Sequence, residues 1–89
     1  HSGSEKALML EISKFNGMME SAFEEAAPHK VCAYIYDLAN AFNHFYHETK
    51  IMAEPDEMVQ AGYIKLLELT KKALETCIGV LGFEAPERM

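Results

Sequence analysis

The sequence is poor in several features whose absence narrows what the chain can be. It has no tryptophan and only two cysteines among 89 residues. Cys32 and Cys77 are too few and too far apart for a disulfide framework or a zinc knuckle. We therefore expect two free thiols, each buried in a helical apolar pattern, and a reducing, cytoplasmic setting. No apolar run approaches the roughly 18 residues of a membrane span, and no basic-then-apolar secretory leader is present, so we expect no membrane partner.

Positive charge is also scarce. Fourteen acidic residues stand against eight basic ones, for a net charge of −6. Because neutralisation of phosphates by Lys and Arg supplies most non-specific affinity for nucleic acid, this balance argues against an autonomous nucleic-acid binder. Any contact with RNA must be local and directed by shape, with help from another domain.

Signatures of catalysis and of metal binding are missing as well. There is no glycine-rich phosphate loop, no GxSxG, no HExxH and no CxxC pair. His44 and His47 stand three residues apart, but no third ligand converges on them. The favoured interpretation is two half-exposed histidines on a solvated face. We predict no catalytic residue and no metal site.

What the sequence does contain is helical periodicity along its whole length, without strand-like alternation. The apolar spacing predicts helices over residues 5–15, 18–27, 28–53 and 55–81, with a break at Asn16–Gly17 and a C-terminal cap at Gly82–Phe83. We therefore predict an all-α fold, an antiparallel bundle of about four helices in residues 5–89. His1–Ser4 is interpreted as a purification-tag remnant outside this domain.

The longest predicted helix carries two different stripes. The first predicts the spine of the bundle and comprises Val31, Ile35, Leu38, Phe42, Phe45 and Met52, with Tyr34 at its edge. The second mixes small, aromatic, amide and cationic groups: Cys32, Tyr36, Ala39, Asn43, Tyr46 and Lys50. Two interpretations of the second stripe stay open, namely tyrosines that pack and bind partners through their hydroxyls, and a stacking platform for unpaired bases.

Particular residues resemble a known protein family. The runs Pro28–Lys30, Tyr34–Ala39 and Phe42–Tyr46, together with the ending Leu81–Met89, resemble the C-terminal anticodon-binding (DALR-type) domain of bacterial-type arginyl-tRNA synthetases. The resemblance covers residues 5–89. The terminal Pro-Glu-Arg-Met is the feature that favours this family over the related domains of cysteinyl and glycyl enzymes.

The resemblance implies a bundle that holds splayed bases of the anticodon arm of arginine tRNA, joined in cis to a synthetase catalytic domain that uses ATP and Mg²⁺. It implies tRNA-binding roles first for Arg88 and Met89, and then for Tyr34, Asn43 and Tyr46. The adenylation motifs of class I synthetases are absent, so the chain itself is expected to hold no cofactor and to perform no catalysis. The alternative from another functional class is a protein-interaction bundle whose exposed stripe receives a partner helix.

Overall fold

The helices of this protein pack around one central helix. A computed structural model describes residues 3–84, with side chains through residue 82. The elements are α1 (Gly3–Ser13), α2 (Phe15–Glu24), α3 (Pro28–Glu48), a 3₁₀ turn (Ile51–Ala53) and α4 (Glu57–Glu84). No strand occurs in this part of the chain, and the predicted all-α class is confirmed. No helix within it combines the length and the apolar character of a membrane span.

The helix count depends on the junction at Lys14. The predicted break at Asn16–Gly17 is wrong, because both residues lie inside α2. The backbone of Lys14 stays right-handed, with φ −83° and ψ −5°. Its N–H donates to the carbonyl of Glu11, three residues earlier, at 3.1 Å, which tightens the helix locally. Only Lys14 separates α1 from α2, so the two segments form one interrupted helix. Counted in this way, the bundle has three helices rather than about four.

A left-handed residue ends α2. The N–H of Ala27 donates to the carbonyl of Ala22 at 2.9 Å, and the N–H of Ala26 donates to that of Phe23 at 3.2 Å. These are the two hydrogen bonds of a Schellman motif. Ala26 therefore has a positive φ of 49°, the only non-glycine residue among 3–84 that does. Pro28 then starts α3, where its missing N–H is harmless.

The connection between α3 and α4 differs from the prediction. α3 ends at Glu48 and not near residue 53, because Thr49 adopts an extended conformation with φ −122° and ψ 125°. The 3₁₀ turn follows, and its Ile51 is 7% exposed. α4 then starts after Asp56, whose Oδ1 accepts a hydrogen bond from the N–H of Met58 at 2.9 Å.

The core runs along α3, which packs against α1, α2 and α4. Its largest fully buried side chains are Phe45, Leu8, Leu38, Val31 and Cys77. The ring of Phe45 meets that of Tyr63 edge-on, with centroids 5.6 Å apart, and this contact joins α3 to α4. Apart from Met52, the first stripe is thus the spine of the bundle as predicted, and Tyr34, 5% exposed, lies within it and not at its edge.

Three other sequence-based expectations are wrong. Met52 is 82% exposed, and not part of the spine, because the helical register stops before it. Cys32 is exposed because the second stripe faces solvent, whereas Cys77 is buried as predicted. α4 continues through Gly82 to Glu84, and no glycine among residues 3–84 has a positive φ, so the predicted cap does not form there.

Candidate nucleic-acid interface

The second stripe of α3 lies on the surface. Tyr36 is 70% exposed and Tyr46 is 55% exposed. Asn43 and Lys50 are exposed as well, and Ala39 is half-buried. The mixed composition of this stripe is therefore explained by contact with solvent and not by an unusual core.

Tyr46 is held in place by its neighbours on α3. Its ring stacks on that of Phe42, with centroids 5.8 Å apart and planes 27° apart. Phe42 is half-buried against the core, which makes it a firm support. The ring of His47 approaches Tyr46 edge-on at 6.1 Å. Tyr46 thus combines a fixed ring with an open surface, and Asn43 lies one turn before it on the same face.

A groove runs beside Tyr46 between the end of α3, the 3₁₀ turn and α4. Its volume is about 570 Å³, and its lining is Tyr46, His47, Thr49, Lys50, Ile51, Met52, Ala53, Ile64 and Leu67. Its lining combines a tyrosine ring and an imidazole with aliphatic side chains, a threonine hydroxyl and an ammonium. Such a groove can hold a flat, unstacked ring while leaving a phosphate near a cation.

A smaller cavity of about 250 Å³ adjoins this groove at Leu67. It is lined by Phe42, Leu67, Thr70, Lys71, Leu74, Glu75 and Ile78. Lys71 there is exposed, and its Nζ lies 4.0 Å from Oε2 of Glu75. A pair this open to solvent is weak, so the Lys71 charge can be redirected to a ligand phosphate. Lys50 forms no ion pair with any residue between 3 and 84.

Tyr34 is placed differently from the other aromatic candidates. Its hydroxyl donates to the carbonyl oxygen of Glu11 at 2.7 Å, and its ring meets Phe15 edge-on at 6.0 Å. Burial raises the pKa of Tyr34 to about 12, and the nearby Cys77 and Glu11 act in the same direction. In this conformation Tyr34 fastens α1 to α3 and presents no open ring face.

The five candidate residues do not form one cluster. Asn43 and Tyr46 share the exposed face of α3, Tyr34 lies in the core, and Arg88 and Met89 lie outside the described residues. Sequence reasoning missed the groove itself. Its turn falls within the predicted helix 28–53 and its α4 wall within the predicted helix 55–81, and no sequence signal indicates that the first of these helices ends at Glu48.

Metal chemistry finds no support in this part of the molecule. Among residues 3–84, no group of three or more His, Cys, Asp or Glu side chains converges. The nearest approach is Nδ1 of His44 with Oε2 of Glu48, 3.7 Å apart on an exposed helix face. The groups that the interface does offer are aromatic rings, an amide and cations, which are suited to binding a nucleic acid.

Comparison with known proteins identifies the family of this chain. The profile of the DALR anticodon binding domain matches residues 1–89. The chain belongs to this family. The predicted resemblance is thereby confirmed, and neither the protein-interaction bundle nor a cysteinyl or glycyl enzyme is favoured.

Relatives of this DALR domain are arginine–tRNA ligases. The chain is 62% identical over 85 residues to the enzyme of Agathobacter rectalis, covering 96% of the chain and 14% of the enzyme. It is 48% identical over 89 residues to that of Alkaliphilus oremlandii, covering 100% of the chain and 15% of the enzyme. It is 39% identical over 85 residues to that of Maricaulis maris, covering 96% of the chain and 14% of the enzyme. The chain thus spans 14–15% of the length of these relatives. No solved structure matches the chain.

Proposed function

We propose that this DALR domain recognises the anticodon arm of arginine tRNA as a module of an arginine–tRNA ligase. A class I catalytic domain in cis would use ATP and Mg²⁺ to attach arginine to the tRNA. The enzyme would act in the cytoplasm, and this chain would be its anticodon-binding bundle. Family membership over residues 1–89 supports the class of ligand. The observation that carries the proposal is the exposed Tyr46 ring, fixed on Phe42 beside an open groove.

The proposed binding mode is stacking of an unpaired loop base on Tyr46. The amide of Asn43, one turn away, would read a base edge, since an amide offers both donors and an acceptor. Tyr34 would act indirectly, by holding α1 against α3. Arg88 and Met89 keep the role that the resemblance implies, which is to shape a base pocket.

The acidic balance of the chain limits how this binding depends on salt. Lys50 and Lys71 are the cations at the groove and the adjoining cavity. If each meets one phosphate of a single-stranded loop, log K should fall against log salt with a slope of about −1.4. Affinity would therefore rest mainly on stacking and shape, with a smaller electrostatic share than most RNA-binding domains have.

The test is a titration of the chain with an arginine anticodon stem-loop, compared with the same stem closed by an unrelated loop. Tyr46→Ala should weaken binding about 5- to 150-fold, because stacking on an aromatic ring contributes about 1–3 kcal/mol per base. Tyr46→Phe keeps the ring and should bind nearly as the wild type does. Phe23→Ala is the matched control, since Phe23 is 60% exposed and lies by another cavity, between α2 and the start of α3.

Two results would contradict the proposal. One is the absence of saturable binding at low salt, and the other is equal weakening by Tyr46→Ala and Phe23→Ala. The chain end is tested in a full-length arginine–tRNA ligase that carries this domain. Removal of Arg88 and Met89 should raise KM for tRNA while changing kcat little, and an unchanged KM would remove these residues from the site.

A further inference from the structure

The 3₁₀ turn is tied to α4 by one side chain. Nε2 of Gln60 donates to the carbonyl oxygen of Ile51 at 3.0 Å. Gln60 lies in the first turn of α4, and helical side chains lean toward the N-terminus of their helix, which aims this amide back at the turn. Among residues 3–84, no other side-chain hydrogen bond joins α4 to Ile51–Ala53.

The backbone hydrogen bonds of the turn lie at the long end of the usual range. The N–H of Ala53 donates to the carbonyl of Lys50 at 3.2 Å, and the N–H of Glu54 donates to that of Ile51 at 3.3 Å. Short 3₁₀ segments have poor hydrogen-bond geometry in general. Apart from these bonds, the turn is held by the burial of Ile51, which is 7% exposed, and by Gln60.

The same turn builds one wall of the groove beside Tyr46. Lys50, Ile51, Met52 and Ala53 all line that groove. Met52 is 82% exposed and makes little packing contact that would position it. The shape of the groove therefore depends on where the backbone of the turn is fixed, and Gln60 is the polar contact that fixes it.

We propose that Gln60 is a positioning residue for RNA binding. It holds the 3₁₀ turn against α4, so that Lys50 and the groove wall face a base stacked on Tyr46, and it does not itself touch the RNA. This inference rests on the proposed function, because the groove is the one that takes the unpaired base. It adds to the site a residue of α4 that does not itself line the groove.

The test replaces the donor without changing charge or length greatly. In Gln60→Met, the amides of Ala53 and Glu54 should exchange with solvent faster, while amides in the middle of α3 exchange as in the wild type. Affinity for the arginine anticodon stem-loop should fall measurably, by at most about fivefold, because a neutral hydrogen bond contributes about 1 kcal/mol to the binding-competent position of the turn. Gln60→Lys keeps a donor of similar reach, so it should retain the amide protection.

Faster exchange with unchanged affinity would overturn the positioning role, and so would unchanged exchange with unchanged affinity. A fall in affinity accompanied by faster exchange throughout α3 would also overturn it, because the cause would then be global destabilisation. Tyr46→Ala in the same titration separates the two proposals. If it weakens binding and Gln60→Met does not, only the inference about Gln60 fails, whereas if neither does, the proposed binding face fails.

Discussion

Ala26 occupies a backbone conformation that suits glycine, and Ala26→Gly should stabilise the protein. Its φ of 49° lies in the left-handed region, where a Cβ comes too close to the following carbonyl oxygen. The residue is exposed, so removal of its methyl group leaves no cavity. The two hydrogen bonds of the Schellman motif use only backbone atoms and survive the change.

The size of the effect is a difference of two terms. Relief of the left-handed conformation contributes about 1–2 kcal/mol. The greater freedom of glycine in the unfolded chain takes back about 0.4–1 kcal/mol. The net gain is therefore about 0.5–1 kcal/mol. At about 2.1 cal/mol/K of unfolding entropy per residue, a chain of this length should gain about 3–5 °C in Tm.

The assay is thermal and urea unfolding of Ala26→Gly beside a matched variant, Ala33→Gly. Ala33 is also exposed but lies within α3, where glycine costs about 1 kcal/mol relative to alanine. The same substitution should thus raise the free energy of unfolding at one site and lower it at the other. If Ala26→Gly lowers stability as Ala33→Gly does, the reasoning from the left-handed conformation is refuted.

Two other predictions concern single side chains. Tyr34→Phe should lower the free energy of unfolding by about 1 kcal/mol, because it removes the hydrogen bond to Glu11. Since the folded pKa of Tyr34 is about 12 and the unfolded one near 10, ionisation of Tyr34 should destabilise the wild type as pH rises from 10 to 12, and the variant should lose less stability over that range. A thiol reagent should modify Cys32 alone in the folded chain, because Cys77 is buried and burial raises its pKa. In denaturant it should modify both cysteines. Two reactive thiols in the folded chain would contradict the structure.

Much of the fold followed from local pattern. The spacing of Val31, Leu38 and Phe45 predicts the buried side of α3, and all three are buried in the core. The amphipathic period of a helix is a property of consecutive residues, so it can be read without knowing the partners. The terminal Pro-Glu-Arg-Met likewise indicates the family through residue identity alone, without reference to any contact that these residues make.

Helix ends were predicted less well, because several are decided by competition between distant groups. The burial of Ile51 and the reach of Gln60 fold the chain into a 3₁₀ turn where periodicity would continue α3. The left-handed conformation of Ala26 is decided in the same way, since α2 must stop for α3 to pack beside it. No local rule places a left-handed residue at an alanine.

The sequence by itself determined the helical class, the buried side of α3 and the membership in an anticodon-binding family, because each rests on residue type and spacing alone. Only the tertiary structure decided that Tyr34 is a core residue and Tyr46 an exposed one. Both are tyrosines on one helix, and they differ in what lies opposite: α1 covers Tyr34, whereas Tyr46 stands beside an open groove. That difference depends on how the helices pack against each other, which the sequence of a single helix does not determine.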